Sequence, residues 1–318
     1  MRAVDELLKA KVLLPAIKRP ADFDIVEFFS EYGRYIAHLA IVIKNDHGEV
    51  FYESSCAPCS MENARKLKTC LDLASALDIE YTFLVYCFSD TVLSKRFGVV
   101  REGVETPPFD FRKFICPNKP EYRQYLSEII REIEELRPSS IVLMDVRYPW
   151  RNFCFCKRCR SEFAEYAGSP TILTSSHYLL EVLQQYEQYY EMWLEWRSKV
   201  VSEALAEILS KKKEGIPVYV EIILDPVSEM YKGLVEFFAQ DIEKMAQFVD
   251  GFMVNLFPYS GVPNERVTIE ILEPLLATNK DVRIFYEGKI DDRAIKVLRY
   301  ISSKLESERV FINIGGQK

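Results

Sequence analysis

Short apolar runs rich in β-branched and aromatic residues recur along the chain, each followed by a longer stretch whose apolar positions fall at helical spacing. Eight runs read as strands: Val12 to Lys18, Tyr35 to Ile43, Tyr81 to Cys87, Ser140 to Val146, Pro217 to Ile223, Gly251 to Phe257, Val282 to Glu287 and Arg309 to Ile314. Ile141, Val142, Leu143 and Met144 follow one another without polar alternation, as in a strand covered on both faces. Helical spacing fills the intervals near 22–33, 60–77, 119–136, 160–213 with a break at Gly168 to Pro170, 232–248, 265–278 and 292–306. Repeated βα units demand parallel strands with right-handed crossovers. Eight of them predict an α/β fold, a (β/α)8 TIM barrel over residues 1–318 as a single domain. An open doubly wound sheet is the alternative.

Two features depart from a regular barrel. The chain ends at Gly315-Gly316-Gln317-Lys318, soon after the eighth run. The eighth helix is therefore expected to be missing, or replaced by an N-terminal helix over Val4 to Lys11. The span His177 to Glu214 is almost unbroken in helix-forming residues and as one helix would reach about 57 Å. It reads as an extended helical insertion after strand 4. Its stripe of Tyr186, Tyr189, Tyr190, Trp193 and Trp196 is expected to pack on the barrel wall or on a subunit partner, which leaves a homo-oligomer open.

Composition narrows the partners. With 48% hydrophobic and 28% charged residues the chain can bury a large core, and no apolar run approaches the roughly 20 residues that span a bilayer. A net charge of -7 argues against nucleic acid and against an anionic membrane surface, since both want a basic face. The N-terminus has scattered charges and no apolar signal region, so a cytoplasmic protein is expected. In that compartment eight cysteines favour metal binding over a disulfide framework.

In a barrel of this kind the informative residues sit where strands end and the following loops begin. The second loop holds His47, Cys56 and Cys59, and the long third, Phe88 to Lys119, holds Asp90 and Cys116. The fourth holds Asp145, Arg147, Tyr148 and then Cys154, Cys156 and Cys159, with Asp225, Asn255, Tyr259 and Glu287 on the next three. The C-x-C-x-x-C spacing lets three sulfurs converge on one soft metal ion, and a closed zinc site needs a fourth ligand. Cys116 on the neighbouring loop is the first choice and the Cys56/Cys59 pair the competitor, while Cys70 and Cys87 read as core. An all-sulfur site leaves no position for water, so such a zinc would be structural.

The segments ICPNKPEYRQYLSEIIREI (115–133), MDVRYP (144–149) and CFCKRCRSEF (154–163) resemble the corresponding run of family-42 β-galactosidases and of related glycosyl-hydrolase-like barrels. WLEWRSKVV (193–201) resembles a helix start in the latter, so the likeness covers roughly residues 115–201. It implies a carbohydrate-active barrel with zinc on Cys116, Cys154, Cys156 and Cys159. It also implies paired carboxylates at the ends of strands 4 and 7, here Asp145 and Glu287. Family 42 carries Asn-Glu where this chain has Met144-Asp145, so the acid can lie elsewhere, with Asp225 or Glu221 as choices.

Each carboxylate also has a plain structural reading: Asp145 as an ion pair with Arg147 or a rim lysine, and Glu287 paired with Lys289 or with the helix that follows. Arg147, Tyr148, Trp150, Asp225, Asn255, Tyr259 and Tyr286 are the expected substrate contacts, the aromatic rings and that of Phe153 suiting sugar faces or simple rim packing. No nucleophile elbow, phosphate-binding loop or dinucleotide fingerprint is present, and three histidines are too few for a His-based metal hydrolase. Two functions from different classes remain, besides a different carbon-oxygen or carbon-nitrogen hydrolase that would use Asp145 and Glu221. One is a glycoside hydrolase acting on a small carbohydrate or oligosaccharide. The other is an inactive zinc-stabilised barrel that binds carbohydrate or a protein.

Overall fold

A computed structural model describes residues 14–17, 24–103, 110–170, 175–223, 233–256, 272, 274–286 and 310–313. Eight strands, β1 (Leu14–Ile17), β2 (His38–Lys44), β3 (Glu80–Tyr86), β4 (Ser140–Met144), β5 (Val218–Ile223), β6 (Gly251–Leu256), β7 (Asp281–Tyr286) and β8 (Val310–Asn313), pair in chain order. Every pairing is parallel, and β1 also pairs with β8, so the sheet closes into a barrel. Each strand falls inside or within a residue of its predicted run. The open doubly wound alternative is excluded by the β1–β8 pairing.

The helices follow local rules. In α1 (Ile25–Tyr32) the Asp24 side chain accepts from the Glu27 N–H at 3.0 Å, and Ser60 does the same for Asn63 at the start of α2 (Met61–Ala76). α3 (Pro120–Glu134) opens on proline, whose missing N–H costs nothing in the first turn, and buries Tyr122, Leu126, Ile129, Ile130 and Ile133 on one stripe. After β4 come α4 (Lys157–Tyr166), α5 (Ser176–Gln185) and α6 (Glu187–Ile208).

Two expected helices divide. The rod expected from His177 breaks at Tyr186, whose extended backbone (φ -126°, ψ 102°) separates α5 from α6, so the two pack on each other. The helix expected over 232–248 is a π-helical turn at Leu234–Phe238 and a short helix at Ile242–Met245. Ala239 divides them in the left-handed conformation (φ 59°). The N-terminal segment Val4 to Lys11, the helix at 292–306 and the residues after β8 lie outside the described residues. So do most of those of the helix expected at 265–278.

The aromatic stripe turns toward the rim. Trp193 and Trp196 are buried against Phe163 of α4, with ring centroids 5.0 and 5.8 Å away, while Tyr186 stays exposed. Arg197, one residue on, is fully buried. It donates to the carbonyls of Trp150 (2.8 Å), Glu236 (2.9 Å) and Phe237 (3.2 Å), tying α6 to the loops after β4 and β5.

The N-terminal end of the barrel interior is a polar layer. Arg283 of β7 donates to Ser140 Oγ (2.9 Å), Thr82 Oγ1 (3.4 Å), Tyr219 Oη (2.8 Å) and Asp281 (3.4 Å), with its guanidinium 4.0 Å from the Tyr219 ring. Thr82 shares hydrogen bonds of 2.6 Å with both Ser140 and His38. Gly251 makes room for this layer: a Cβ there would sit 2.4 Å from the Asp281 carbonyl and 2.5 Å from the Tyr219 ring.

Candidate active site and metal centre

Strand alternation decides which side chains meet at the other end. Ser140 and Thr82 belong to β4 and β3, which are not neighbours of β7, so Arg283 reaches them only across the interior. Its register partner Met253 therefore faces inward, as does Glu221 opposite Met253, and counting on by two puts Asn255 inward toward the strand ends. The same parity turns Tyr286 to the outer face, where it is buried.

β4 ends abruptly. Asp145 takes the left-handed conformation (φ 55°), which aspartate tolerates better than most residues, and the chain leaves the sheet there. Its Oδ1 accepts from Arg147 Nε at 3.1 Å and Nη2 at 2.9 Å, and its Oδ2 accepts from Ser89 Oγ at 2.7 Å. The Arg147 guanidinium lies between the rings of Phe114 (4.7 Å) and Phe238 (4.9 Å), so its position is set by packing as well as charge. Asp145 and Arg147 thus form the ion pair that the sequence offers as the structural reading of Asp145.

The turn at Asp145 aims its backbone N–H at Glu221 Oε2, 2.7 Å away, while Asn255 Nδ2 donates to Glu221 Oε1 at 2.5 Å. Burial, and then the charge of Asp145, pushes the Glu221 carboxyl up to about 7, against the opposing pull of those two donors and of Arg147. β4 pairs with β5 only as far as Val220, and Gln240 takes over beyond it. Its Nε2 donates to the Glu221 carbonyl at 2.7 Å and its Oε1 accepts from the Ile223 N–H at 3.3 Å. A buried side-chain amide thus replaces the peptide group that β4 withdraws when it turns at Asp145.

The cysteines gather on the adjacent rim. Residues 98–101 bridge Ile115 on one side and Phe153 on the other, and the Cys116 N–H donates to the Phe97 carbonyl at 3.0 Å. The Phe155 N–H donates to the Val100 carbonyl (2.9 Å) and the Val100 N–H to Cys154 Sγ (3.1 Å). Cys116, Cys154, Cys156 and Cys159 end up buried with their sulfurs all within 4.8 Å of one another, while Lys157 and Arg158 face solvent. A tetrahedral ion with bonds of about 2.3 Å needs sulfurs about 3.8 Å apart. The observed cluster, with Cys116 and Cys159 at 3.4 Å, fits a thiophilic metal ion. Hydrogen bonds from the other three thiols hold Cys156 well down, whereas burial pushes Cys116 and Cys159 up. The competing pair, Cys56 and Cys59, is exposed and apart from this cluster, and Cys70 and Cys87 are buried as read.

Of the two readings of the rim aromatics, the described rings take the packing one. Tyr148 and Phe153 are fully buried and Trp150 nearly so, with Trp150 against Phe237 (4.5 Å) and Phe153 against Phe111 (5.2 Å). They pack the loop that carries the thiols, because that loop rolls inward to bury its sulfurs. Arg147 holds Asp145 and stands 2% exposed, away from any open surface. Asp225, Tyr259 and Glu287 lie outside the described residues. Ser89 and Gln240 escaped sequence reading: a serine or glutamine in a loop carries no signal until the turns at Asp145 and Ala239 bring it to the strand ends.

No protein-family model matches the chain, and no curated protein matches it by sequence. Solved structures do match its fold. The glycoside hydrolase domain of PgaB (BpsB) from Bordetella bronchiseptica superposes with a TM-score of 0.67 at 9% identity, over 94% of this chain and 93% of that one. The catalytic domain of a β-amylase from Paenibacillus polymyxa gives 0.60 at 11% identity, over 95% of this chain and 92% of that one. The fold is glycoside-hydrolase-like, and the likeness does not single out family 42. Among the described residues no helix is long and apolar enough to cross a membrane.

Proposed function

We propose that this protein is a (β/α)8 glycoside hydrolase acting on a small carbohydrate or oligosaccharide, with Glu221 as its acid. The observation that carries this reading is the contact between Asp145 and Glu221 at neighbouring strand ends, with Glu221 poised near neutrality. Glycosidic cleavage needs a carboxylic acid that still holds its proton at working pH, to protonate the leaving oxygen, and a second carboxylate to attack or to activate water. A group near 7 suits the first task, because proton donation is most effective when the acid's pKa lies close to the ambient pH. Burial is the main reason that Glu221 holds its proton, and Asp145, engaged by Ser89 and Arg147, adds to it as the negative neighbour. Glu287, at the end of strand 7, is the carboxylate proposed for the opposite side of the bond.

The four cysteines are proposed to hold a structural zinc. Four sulfurs complete its coordination, so it supplies stiffness rather than chemistry. The stiffness reaches the acid pair through a short path, since Phe114, which stacks on Arg147, stands two residues before Cys116.

Hydrolysis of a panel of 4-nitrophenyl glycosides tests the reading. Glu221→Gln should lower kcat/KM by about 10²- to 10⁴-fold while thermal stability at pH 7 is kept or raised. A wild type that cleaves no member, or an unimpaired variant, rejects it. One observation favours the second reading, a carbohydrate-binding barrel without turnover: Asp145 is 5% and Glu221 2% exposed. Calorimetric binding of an oligosaccharide without cleavage would establish that reading instead.

A further inference from the structure

Glu221 is gripped at both oxygens, and the two grips differ in kind. The Asp145 N–H belongs to the backbone and is fixed by the turn at the end of β4. The Asn255 amide is a side chain from β6, and it is only half engaged. Its Nδ2 donates to Glu221 Oε1 at 2.5 Å, whereas its Oδ1 is buried with no hydrogen-bond partner among the described residues. An asparagine kept for packing or strand pairing would be expected to engage both ends of its amide, because a buried acceptor without a donor is costly. Asn255 leaves that acceptor bare and keeps the bond to the acid.

We propose that Asn255 is a positioning residue for Glu221, holding one carboxyl oxygen against the backbone grip on the other, so that it fixes both where the acid presents its proton and how readily it releases it. This inference rests on the reading of Glu221 as an acid. The charged and titratable groups that bear on Glu221 are Asp145 and Arg147 from the loop after β4 and Cys87 at the end of β3. Asp145 opposes ionisation and Arg147 favours it. Donation from Asn255 stabilises the ionised carboxylate, so removing it makes Glu221 hold its proton to higher pH.

Two variants and two readouts test this. In Asn255→Leu the donor is lost. In Asn255→Asp the shape is kept while a donor is replaced by a like charge. An acid catalyst loses activity as pH rises through its own titration, so the basic limb of kcat/KM on a cleaved 4-nitrophenyl glycoside should move to higher pH. The expected move is about half a unit to one unit in the first variant and more in the second. A purely structural role would lower the melting temperature or kcat without moving the limb.

The same titration is read without substrate from the infrared carbonyl stretch of the protonated carboxyl, assigned by its loss in Glu221→Gln. An infrared midpoint that rises in both variants while no glycoside is cleaved keeps the Asn255 inference and removes the hydrolase reading. Cleavage with neither midpoint moved does the reverse. If the leucine variant fails to fold, the isosteric aspartate variant decides alone, and an unmoved midpoint there overturns the inference.

Discussion

The two ends of the barrel interior use similar residues to opposite effect. At the N-terminal end Arg283 distributes its donors over Ser140, Thr82, Tyr219 and Asp281, and His38 closes the layer through Thr82. Burial, and then the Arg283 charge, holds His38 down to about 4, so it stays neutral in the folded protein near pH 7. At the C-terminal end burial, and then the neighbouring Asp145, pushes Glu221 up to about 7, and among the described residues Asn255 keeps an acceptor without a partner. The lower layer answers its half-buried cation with acceptors and an aromatic face. The upper layer places two acids together, each held at both oxygens, and it is the amide oxygen of Asn255 that finds no partner among the described residues. A network of the first kind fixes a fold, while one of the second kind keeps a proton available.

The largest expected effect comes from loosening the rim that supports the upper layer. Cys156→Ser should reduce metal content from about one ion per chain to none. Because metal binding free energy is folding free energy, it should also remove on the order of 5 kcal/mol of stability. Elemental analysis and thermal melting check both, and a metal-free wild type of unchanged stability would reject the centre. Arg283→Leu comes next. It removes the donor shared by the hydroxyls of the lower layer and leaves Asp281 to the Tyr219 hydroxyl, so stability should fall by about 3 kcal/mol, while folded protein keeps its pH–rate profile. A moved profile would mean that the two layers are coupled.

The smallest effect separates the layers by the sign of their pH dependence. Between about pH 6.5 and 4 the unfolded chain takes up a proton that folded His38 refuses, so its contribution is lost as pH falls. Glu80, 3.6 Å from His38 Nδ1 but largely exposed, opposes this only weakly. Glu221 behaves oppositely. The folded protein keeps a proton that the unfolded chain gives up above about pH 4.3, so its contribution is lost as pH rises toward 7. Each contribution is on the order of 3 kcal/mol at full extent, and in the wild type they offset each other. Denaturant melts from pH 4.5 to 7 should show His38→Gln losing stability as pH rises and Glu221→Gln gaining it. Equal slopes in both variants would sink the contrast.

Much of the frame was legible beforehand. The strand runs locate β1 to β8 because a buried parallel strand needs apolar residues on both faces, and loop chemistry cannot imitate that pattern. The thiol cluster was legible because C-x-C-x-x-C brings three sulfurs together over a few residues, and only Cys116 needed the neighbouring loop. The proposed acid was harder to single out. Glu221 stood beside Asp225 as a choice, because it lies in an apolar strand and nothing local separates a buried catalytic carboxyl from a structural one. The choice between sugar platform and rim packing stayed open in the sequence because Trp150 and Phe153 look the same whether a loop opens to a ligand or rolls inward over its thiols.

The amino-acid sequence by itself determined the succession of strands and helices, the parallel sheet that such a succession requires, and a sulfur-rich rim after the third and fourth strands. These depend on periodicity and short spacing, which a chain carries along its length. Only the tertiary structure decided that Asp145 turns left-handed onto the side chain of Glu221 and that Asn255 and Gln240 hold that residue from β6 and from the turn after β5. It also decided that Arg197 locks α6 to the rim. Those contacts join residues 19 to 76 positions apart, and a carboxyl's proton affinity depends on what closure of the barrel places around it rather than on its neighbours in the chain.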